Sequence, residues 1–539
     1  MKSVLLAVSA MAALTACTQV QTGRSPARHA WTIPGEFRWA DGEDLDNLNP
    51  LLSTQTIVED LSSFTMGYFF KFDDKNEPVP DLCLVVPTQA NHLISPDGLA
   101  LTFKLRHNVL WQDGKPFTAA DVLFTVAVIQ DPKTNILSRD GWDNVDRVES
   151  PDPYTVVFRL KKPYAPFMNR FFTPISNSAI MPKHILQGQE FNHAAYNALP
   201  VGLGPFKYVR WVRGSEVVME ANDHYWGSKP KLKRVVFKVI PDSNTAASEL
   251  RTHEIDAYVR VLANQWQEVS KTPNTVTLSN DVTAYGHIDF NVQNPILADV
   301  RVRQALTYAI DKQTLWEKVD HRSGHLDWTM ISHLTWAYDA QTPRYPFDLA
   351  KAKVLLEQAG WRMGADGLRH KGNDSLHFVF AGSVGNPGLD SRVLLIQSWY
   401  KQIGVALDYK RYQTNQLFAS YAAGGIAASR KYDLTSYAWT LAPDPDPTNY
   451  IACSRISPKG NNYMGYCNPK VDALLQDALT HYAQDRRRKD LIAVQELVGR
   501  DTPFVVLTQR TQKITMNDNV RGIRPGPTMI FWNPQDISN

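Results

Sequence analysis

His253 and Glu254 begin like H-E-x-x-H, a pattern in which two histidines one helical turn apart hold a metal and the glutamate activates water. The fifth position is Ala257, so the second ligand is missing. Gly202-Leu203-Gly204 starts like a dinucleotide-binding turn, but the sixth position is Lys207 rather than the third glycine. Neither a G-x-S-x-G elbow nor a P-loop occurs. The 14 histidines are scattered. His321 and His325 have helical i, i+4 spacing, but Gly324 between them favours a loop, so no metal site is expected there. No C-x-x-C pair is present, which disfavours a thiolate zinc site. Cys453 and Cys467 flank a stretch, Ser454 to Tyr466, rich in Gly, Asn, Ser and Pro, and a disulfide is expected between them. Cys83 reads as a small buried hydrophobe. Acid pairs abound without an informative spacing, so a secreted hydrolase working with two carboxylates stays open as an alternative. The search for catalytic chemistry is otherwise nearly empty, so no enzyme, no cofactor and no metal is expected.

Export permits such a disulfide, and the start of the chain points to export. Lys2 precedes an apolar run from Val4 to Ala16, long enough for a signal peptide and too short to span a bilayer permanently. The exit, Leu14-Thr15-Ala16-Cys17, looks like a bacterial lipobox, which implies cleavage after residue 16 and a lipid on Cys17. Residues 17–30 then form a polar tether. No later run reaches 18 apolar residues, so the lipid is the expected membrane attachment. The charge balance, 57 Lys and Arg against 54 Asp and Glu, lacks the basic excess of a dedicated nucleic-acid binder. A composition of 43% hydrophobic and 21% charged residues is that of a globular protein.

Strand and helix patterns alternate along the remaining chain without an internal repeat, as in an α/β protein. Thr102–Arg106 alternates polar and apolar residues, as a half-buried strand does. Thr118 with Asp121 resembles a capping box opening a helix that runs to about Gln130, before Asp131-Pro132. Tyr154–Leu160 and Val235–Ile240 read as strands, the second buried on both faces. Asp299 and Asp348 each precede an amphipathic helix. His377–Phe380 is a strand leading into a Gly-rich loop, 382–388; Ser391–Ile403 is a helix closed by Gly404, and Val405–Tyr409 a strand.

Several segments together resemble the dipeptide and oligopeptide class, family 5, of extracellular solute-binding proteins serving ABC importers. They are Asp46-Asn47-Leu48-Asn49-Pro50; Ser95–Gly98 through Trp111–Val122; Gly202–Phe206; Asn222–Trp226; Glu254–Asp256; Asp299–Leu306 with Ala309–Asp311; and Tyr466–Asp472. The resemblance covers nearly all of the mature chain. It implies a two-lobed periplasmic-binding-protein fold of type II, in the large cluster with an extra subdomain in the first lobe. Lobe I would comprise residues 31–284 and 510–539, and lobe II residues 287–507, with crossings near Tyr285-Gly286 and Thr508-Gln509. The implied function is capture of a solute, an oligopeptide foremost, and delivery to permease subunits in the inner membrane by a monomeric, periplasmic, lipid-anchored protein. An oligosaccharide or other non-peptide solute is the alternative. A chaperone or adhesin role would lack saturable binding of a small molecule.

In peptide-binding members an Asp three residues after a Trp in lobe II pairs with the peptide's α-ammonium. Here the Trp is Trp439 and the aligned position is Ala442. Asp444 and Asp446 follow closely, in a proline-interrupted run that either loops back or forms a rigid exposed turn. Dipeptide members carry an Arg after the strand matching His377–Phe380; here Ser383-Val384-Gly385-Asn386 stands in that place, with Arg392 in the following helix. The expected ligand surface is therefore Tyr437, Trp439, Ala442, Asp444, Asp446, Ser383 and Asn386. Trp439, Tyr437 and Trp111 serve either as stacking platforms or as core.

Overall fold

Two long strands organise the molecule. The computed structural model describes residues 29–539 apart from Thr54, Leu137, Ser138 and Asp140; the expected leader and Cys17 lie outside the described residues. The strands used below are β1 (Glu36–Asp41), β2 (Ala100–Lys104), β3 (Val145–Asp152), β4 (Thr155–Leu160), β5 (Phe206–Val212), β6 (Glu216–Ala221), β7 (Arg234–Val239), β8 (Ala257–Tyr258), β9 (Thr275–Phe290), β10 (His325–Leu326), β11 (His377–Ser383), β12 (Ala406–Tyr412), β13 (Leu434–Thr440) and β14 (Phe504–Asn517). The helices are α1 (Thr56–Thr65), α2 (Ala119–Gln130), α3 (Val300–Tyr308), α4 (Leu349–Gln358), α5 (Pro387–Gln402), α6 (Pro469–Thr480) and α7 (Gln484–Asp501). An 11-stranded sheet runs β12-β11-β13-β9-β14-β8-β1-β7-β6-β5, with β10 paired to β14 off this path. Strands β9 and β14 pair antiparallel, with register breaks between Asp281 and Tyr285 and between Gly286 and His287. Tyr285 lies opposite Gln509 and Gly286 opposite Thr508 at that break.

Side-chain alternation explains how one sheet serves several cores. Beyond the break, Ile288, Phe290, Val505 and Leu507 point to one face, where α3, α4 and α5 supply Leu306, Leu356 and Ile396. Tyr285, Phe504 and Val506 point to the other, against Leu475 of α6 and Val494 of α7. Before the break a separate cluster joins Phe37, Trp39, Phe64 and Phe237 to Ile514 and Phe531 from the chain's end. The antiparallel sheet β2-β4-β3 adds Phe103 and Phe158 to that cluster.

Local chemistry explains the element ends. Thr118 and Asp121 form a reciprocal capping box at the start of α2, which runs Ala119–Gln130 as its pattern predicts. Asp299 and Asp348 cap α3 and α4 through their side chains. Helix α5 starts four residues before the predicted Ser391: Asn386 caps it and Pro387 takes the first-turn position, where a missing N–H costs nothing. The predicted Gly-rich loop is correspondingly shorter, because β11 continues to Ser383. Cys453 and Cys467 are joined, with an S–S distance of 2.10 Å, and Cys83 is free and buried. No described helix is long and apolar enough to cross a membrane.

Candidate functional site

In open α/β sheets, loops at the carboxyl ends of parallel strands are where ligands bind. Strand β13 runs parallel to β11 and ends with Thr440 opposite Ala284, beside the register break. Strands β11 and β12, also parallel, end at Ser383 and Tyr412 on that side. From the other half, β1 is parallel to β7 and β8, and β8 meets β14 with Tyr258 opposite Thr515, so these strands too run towards the break. The carboxyl ends of both halves therefore converge there. Contacts that close the space between them include Asn169 Nδ2 donating to the Asp444 carbonyl at 2.6 Å and the Tyr482 hydroxyl donating to the Gly98 carbonyl at 3.1 Å.

The first half brings acids to this mouth. Arg260, just after β8, donates to Asp41 at 2.6 Å and also to Asp60 on α1. Desolvation pushes the Asp60 carboxyl up to about 6, with Arg260 acting against the shift. Glu59, beside it, is pushed up to about 8, by desolvation first and by the Asp60 charge second. One guanidinium thus faces three carboxyl groups.

The second half and the break itself bring cations. Arg392 on α5 donates to Asp320 at 2.8 Å, while its Nε and Asp320 Oδ2 are buried without a hydrogen-bond partner. Arg510 on β14, one residue past the break, has no hydrogen-bond partner among the described residues. Its side chain keeps solvent access, yet desolvation, reinforced by Arg392, pulls its pKa below the ordinary arginine value. Arg510 is an exposed residue whose charge is felt by Arg392, which opposes it, and by Asp320, which favours it.

The predicted ligand segment is largely occupied by its own contacts. Trp439 is 5% exposed, stacked on Tyr450 at 4.6 Å and 4.2 Å from the His287 ring. It belongs to the core, as does Trp111, which is fully buried. Tyr437 is half-buried; its hydroxyl donates to Asp289 at 2.6 Å, and Phe418 packs edge-on at 5.3 Å. The run 441–447 alternates: Leu441, Pro443, Pro445 and Pro447 are buried, while Ala442, Asp444 and Asp446 are half-buried. It is no exposed turn. Asp444 loops back, but onto Arg487, which holds both its oxygens at 2.7 and 2.5 Å. Asp444, offered with Asp446 as a replacement for the acid missing at Ala442, is thus already paired in this structure. Asp446 accepts from the Thr448 backbone at 3.0 Å. Asn386 spends its side-chain oxygen on capping α5, and Ser383 ends β11.

Sequence reasoning missed Arg510, Arg260, Glu59 and Asp60, because no local pattern distinguishes these residues from other surface charges. It also missed a buried pair behind Tyr437. His287 and Asp289 are fully buried 3.2 Å apart, and both ring nitrogens and Asp289 Oδ1 lack hydrogen bonds. An open depression of about 450 Å³, lined by Asn291, Lys410, Arg430 and Asp433, includes none of residues 437–446.

The profile of the bacterial extracellular solute-binding proteins, family 5, matches residues 84–461, more than half of the chain. The chain belongs to this family. Its relatives within family 5 include the oligopeptide-binding protein AppA of Bacillus subtilis, 27% identical over 99% of this chain and 97% of that protein. The structure of AppA in complex with a nonapeptide superposes with a TM-score of 0.80 at 26% identity, covering 94% of this chain and 99% of that one. NikZ of Campylobacter jejuni, solved with Ni(L-His), gives the same TM-score at 26% identity, covering 94% and 100%. A Brucella ovis protein named as a candidate ABC transporter peptide-binding protein is 28% identical over 84% of this chain and 83% of its own length. Membership makes the architecture the two-lobed, type II fold of family 5 and the protein an extracellular solute-binding protein.

Proposed function

We propose that this protein captures oligopeptides between its two halves and delivers them to the permease of an ABC importer. The observation that carries this reading is the charge gathered at the mouth: Asp41, Glu59 and Asp60 with Arg260 on one side, Arg392 with Asp320 on the other, and Arg510 at the register break between them. A zwitterionic chain satisfies both, its ammonium at the acids and its carboxylate at Arg510. The relatives' names and the nonapeptide bound by AppA support the same solute class. In this reading lobe I is residues 31–284 with 510–539, lobe II is residues 287–507, and the paired residues 285–286 and 508–509 form the hinge. Tyr437, Ala442, Asp446, Ser383 and Asn386 line the lobe II wall, while Trp439 and Asp444 support it from behind. The protein acts as a monomer, without catalysis.

Calorimetry with peptides recovered from the purified protein by native mass spectrometry tests this reading. Arg510→Gln is expected to cost about 2–5 kcal/mol of peptide affinity, the usual loss when one side of a buried charge pair is removed. Glu59 carries a proton at pH 7, and an arriving ammonium favours its ionised form. Binding should therefore release protons, and affinity should rise between pH 6 and 8; titrations in buffers of different ionisation enthalpy read this directly. In the ligand-free protein the same raised pKa makes stability fall as pH rises from about 4.5 to about 8, where only the folded state retains the proton. A neutral sugar as the retained solute, with affinity indifferent to Arg510, would sink the peptide reading.

The anchor is part of the proposal. Leu14-Thr15-Ala16-Cys17 supports cleavage and lipidation, leaving residues 17–30 as a tether at the cell envelope. Cys17→Ser is expected to move the protein from the membrane pellet to the soluble fraction; unchanged fractionation would refute lipidation.

A further inference from the structure

Three groups meet beside the register break that no part of the peptide site uses. Asp281 sits on β9 opposite Thr511, His325 on β10 opposite Gln509, and His333 in the loop that follows β10. Both histidines direct Nε2 at the same oxygen, Asp281 Oδ2, at 2.9 and 3.4 Å. One donor atom from each residue lies within 4.8 Å of the other two. The second carboxylate oxygen, Oδ1, accepts the Thr511 hydroxyl at 2.6 Å, which fixes the plane of the carboxylate and leaves Oδ2 facing the imidazoles. His325 and His333 are 57% and 34% exposed at their side chains, so an ion can reach them from solvent.

We propose that Asp281, His325 and His333 bind a divalent transition-metal ion of the zinc type. Two imidazoles and a carboxylate are a common ligand set for such ions. Ligands about 2.0–2.1 Å from a tetrahedral ion lie about 3.4 Å from one another, close to the 2.9 and 3.4 Å that separate the two Nε2 atoms from Asp281 Oδ2. Each imidazole would turn its unprotonated Nε2 to the ion and keep its proton on Nδ1. Thr511 supplies the outer hydrogen bond that orients a ligating carboxylate. The fourth position stays open to water. Asp281 precedes the break and both histidines follow it, so the ion would tether chain segments on either side of the crossing. The site itself is independent of the peptide reading, because none of its residues belongs to the charged mouth.

The test is a calorimetric titration of Zn²⁺ into the untagged full-length protein after stripping with chelator, without peptide. One saturable equivalent is expected, together with a rise in melting temperature that grows with zinc concentration. His325→Ala with His333→Ala should abolish that equivalent. Thr511→Val, which keeps the side chain's shape on the strand, should weaken it by about 10–100-fold, the usual effect of losing an outer-shell partner. Circular dichroism of each variant establishes that it folds. Absence of a saturable equivalent in the parent, or parental zinc affinity in the folded double variant, overturns the proposal and leaves the three residues as an ion-paired cluster. Peptide affinity plays no part in either outcome, so failure here is distinct from failure of the peptide reading.

Discussion

Replacing Trp439 with Ala is expected to lower the stability of the protein by about 3–5 kcal/mol, the range for truncating a large buried aromatic. Trp439 joins the second half's aromatic core through Tyr450, His287, Tyr285 and Phe504, and only 5% of it meets solvent. The vacated space would lie beside His287 and Asp289, whose unpaired polar atoms gain nothing from an apolar void. Urea unfolding of the ligand-free protein measures the effect. An open stacking platform would behave differently: stability would stay within about 1 kcal/mol of the parent, and the loss would fall on ligand affinity instead. That outcome would restore Trp439 to the contact surface and remove it from the core.

Asp444→Asn is expected to be comparably severe, at about 3–5 kcal/mol of stability, because it leaves the Arg487 guanidinium with 7% exposure and no full counter-charge. Arg487 also lies over the Trp336 ring at 5.1 Å and donates to the Ala478 carbonyl at 2.8 Å, so it has little freedom to turn outwards. Adding Arg487→Met to Asp444→Asn should recover part of the loss, since a buried pair replaced as a unit carries no orphaned charge. The same segment meets the opposite half through Asn169, so loosening it should also weaken closure around a ligand. If Asp444→Asn keeps parental stability and loses only peptide affinity, Asp444 is a ligand anchor and the pair with Arg487 is dispensable.

Several helix starts that depend on short-range chemistry could be read from the sequence. Thr118 with Asp121, Asp299 and Asp348 start helices where their hydrogen-bonding side chains precede an apolar stripe, because a cap satisfies donors within its own first turn. The early start of α5 escaped that reading. The Gly-rich run 382–388 read as a loop, and only Asn386 turning its oxygen onto the Leu389 amide makes Pro387 a first-turn residue. The segments from Asp46 to Asp472 that resemble family 5 carried the architecture and the solute-binding role, since each is a local motif repeated in family order.

Which charges meet was decided by the tertiary structure. Asp444 and Arg487 are 43 residues apart, and Arg260 and Asp41 are 219 apart. Their pairing follows from strand order and helix placement, which no local spacing encodes. The same holds for Arg510, Arg392 and Asp320, and for Asp281, His325 and His333, brought together where β9, β10 and β14 lie side by side. The starts of α2, α3 and α4 and the family were legible because a cap and a local motif each rest on near neighbours. Only the fold decided that Trp439 is core, that Asp444 is already paired and that Arg510, without a hydrogen-bond partner among the described residues, lies at the register break, because burial and charge pairing depend on what distant segments bring to the same place.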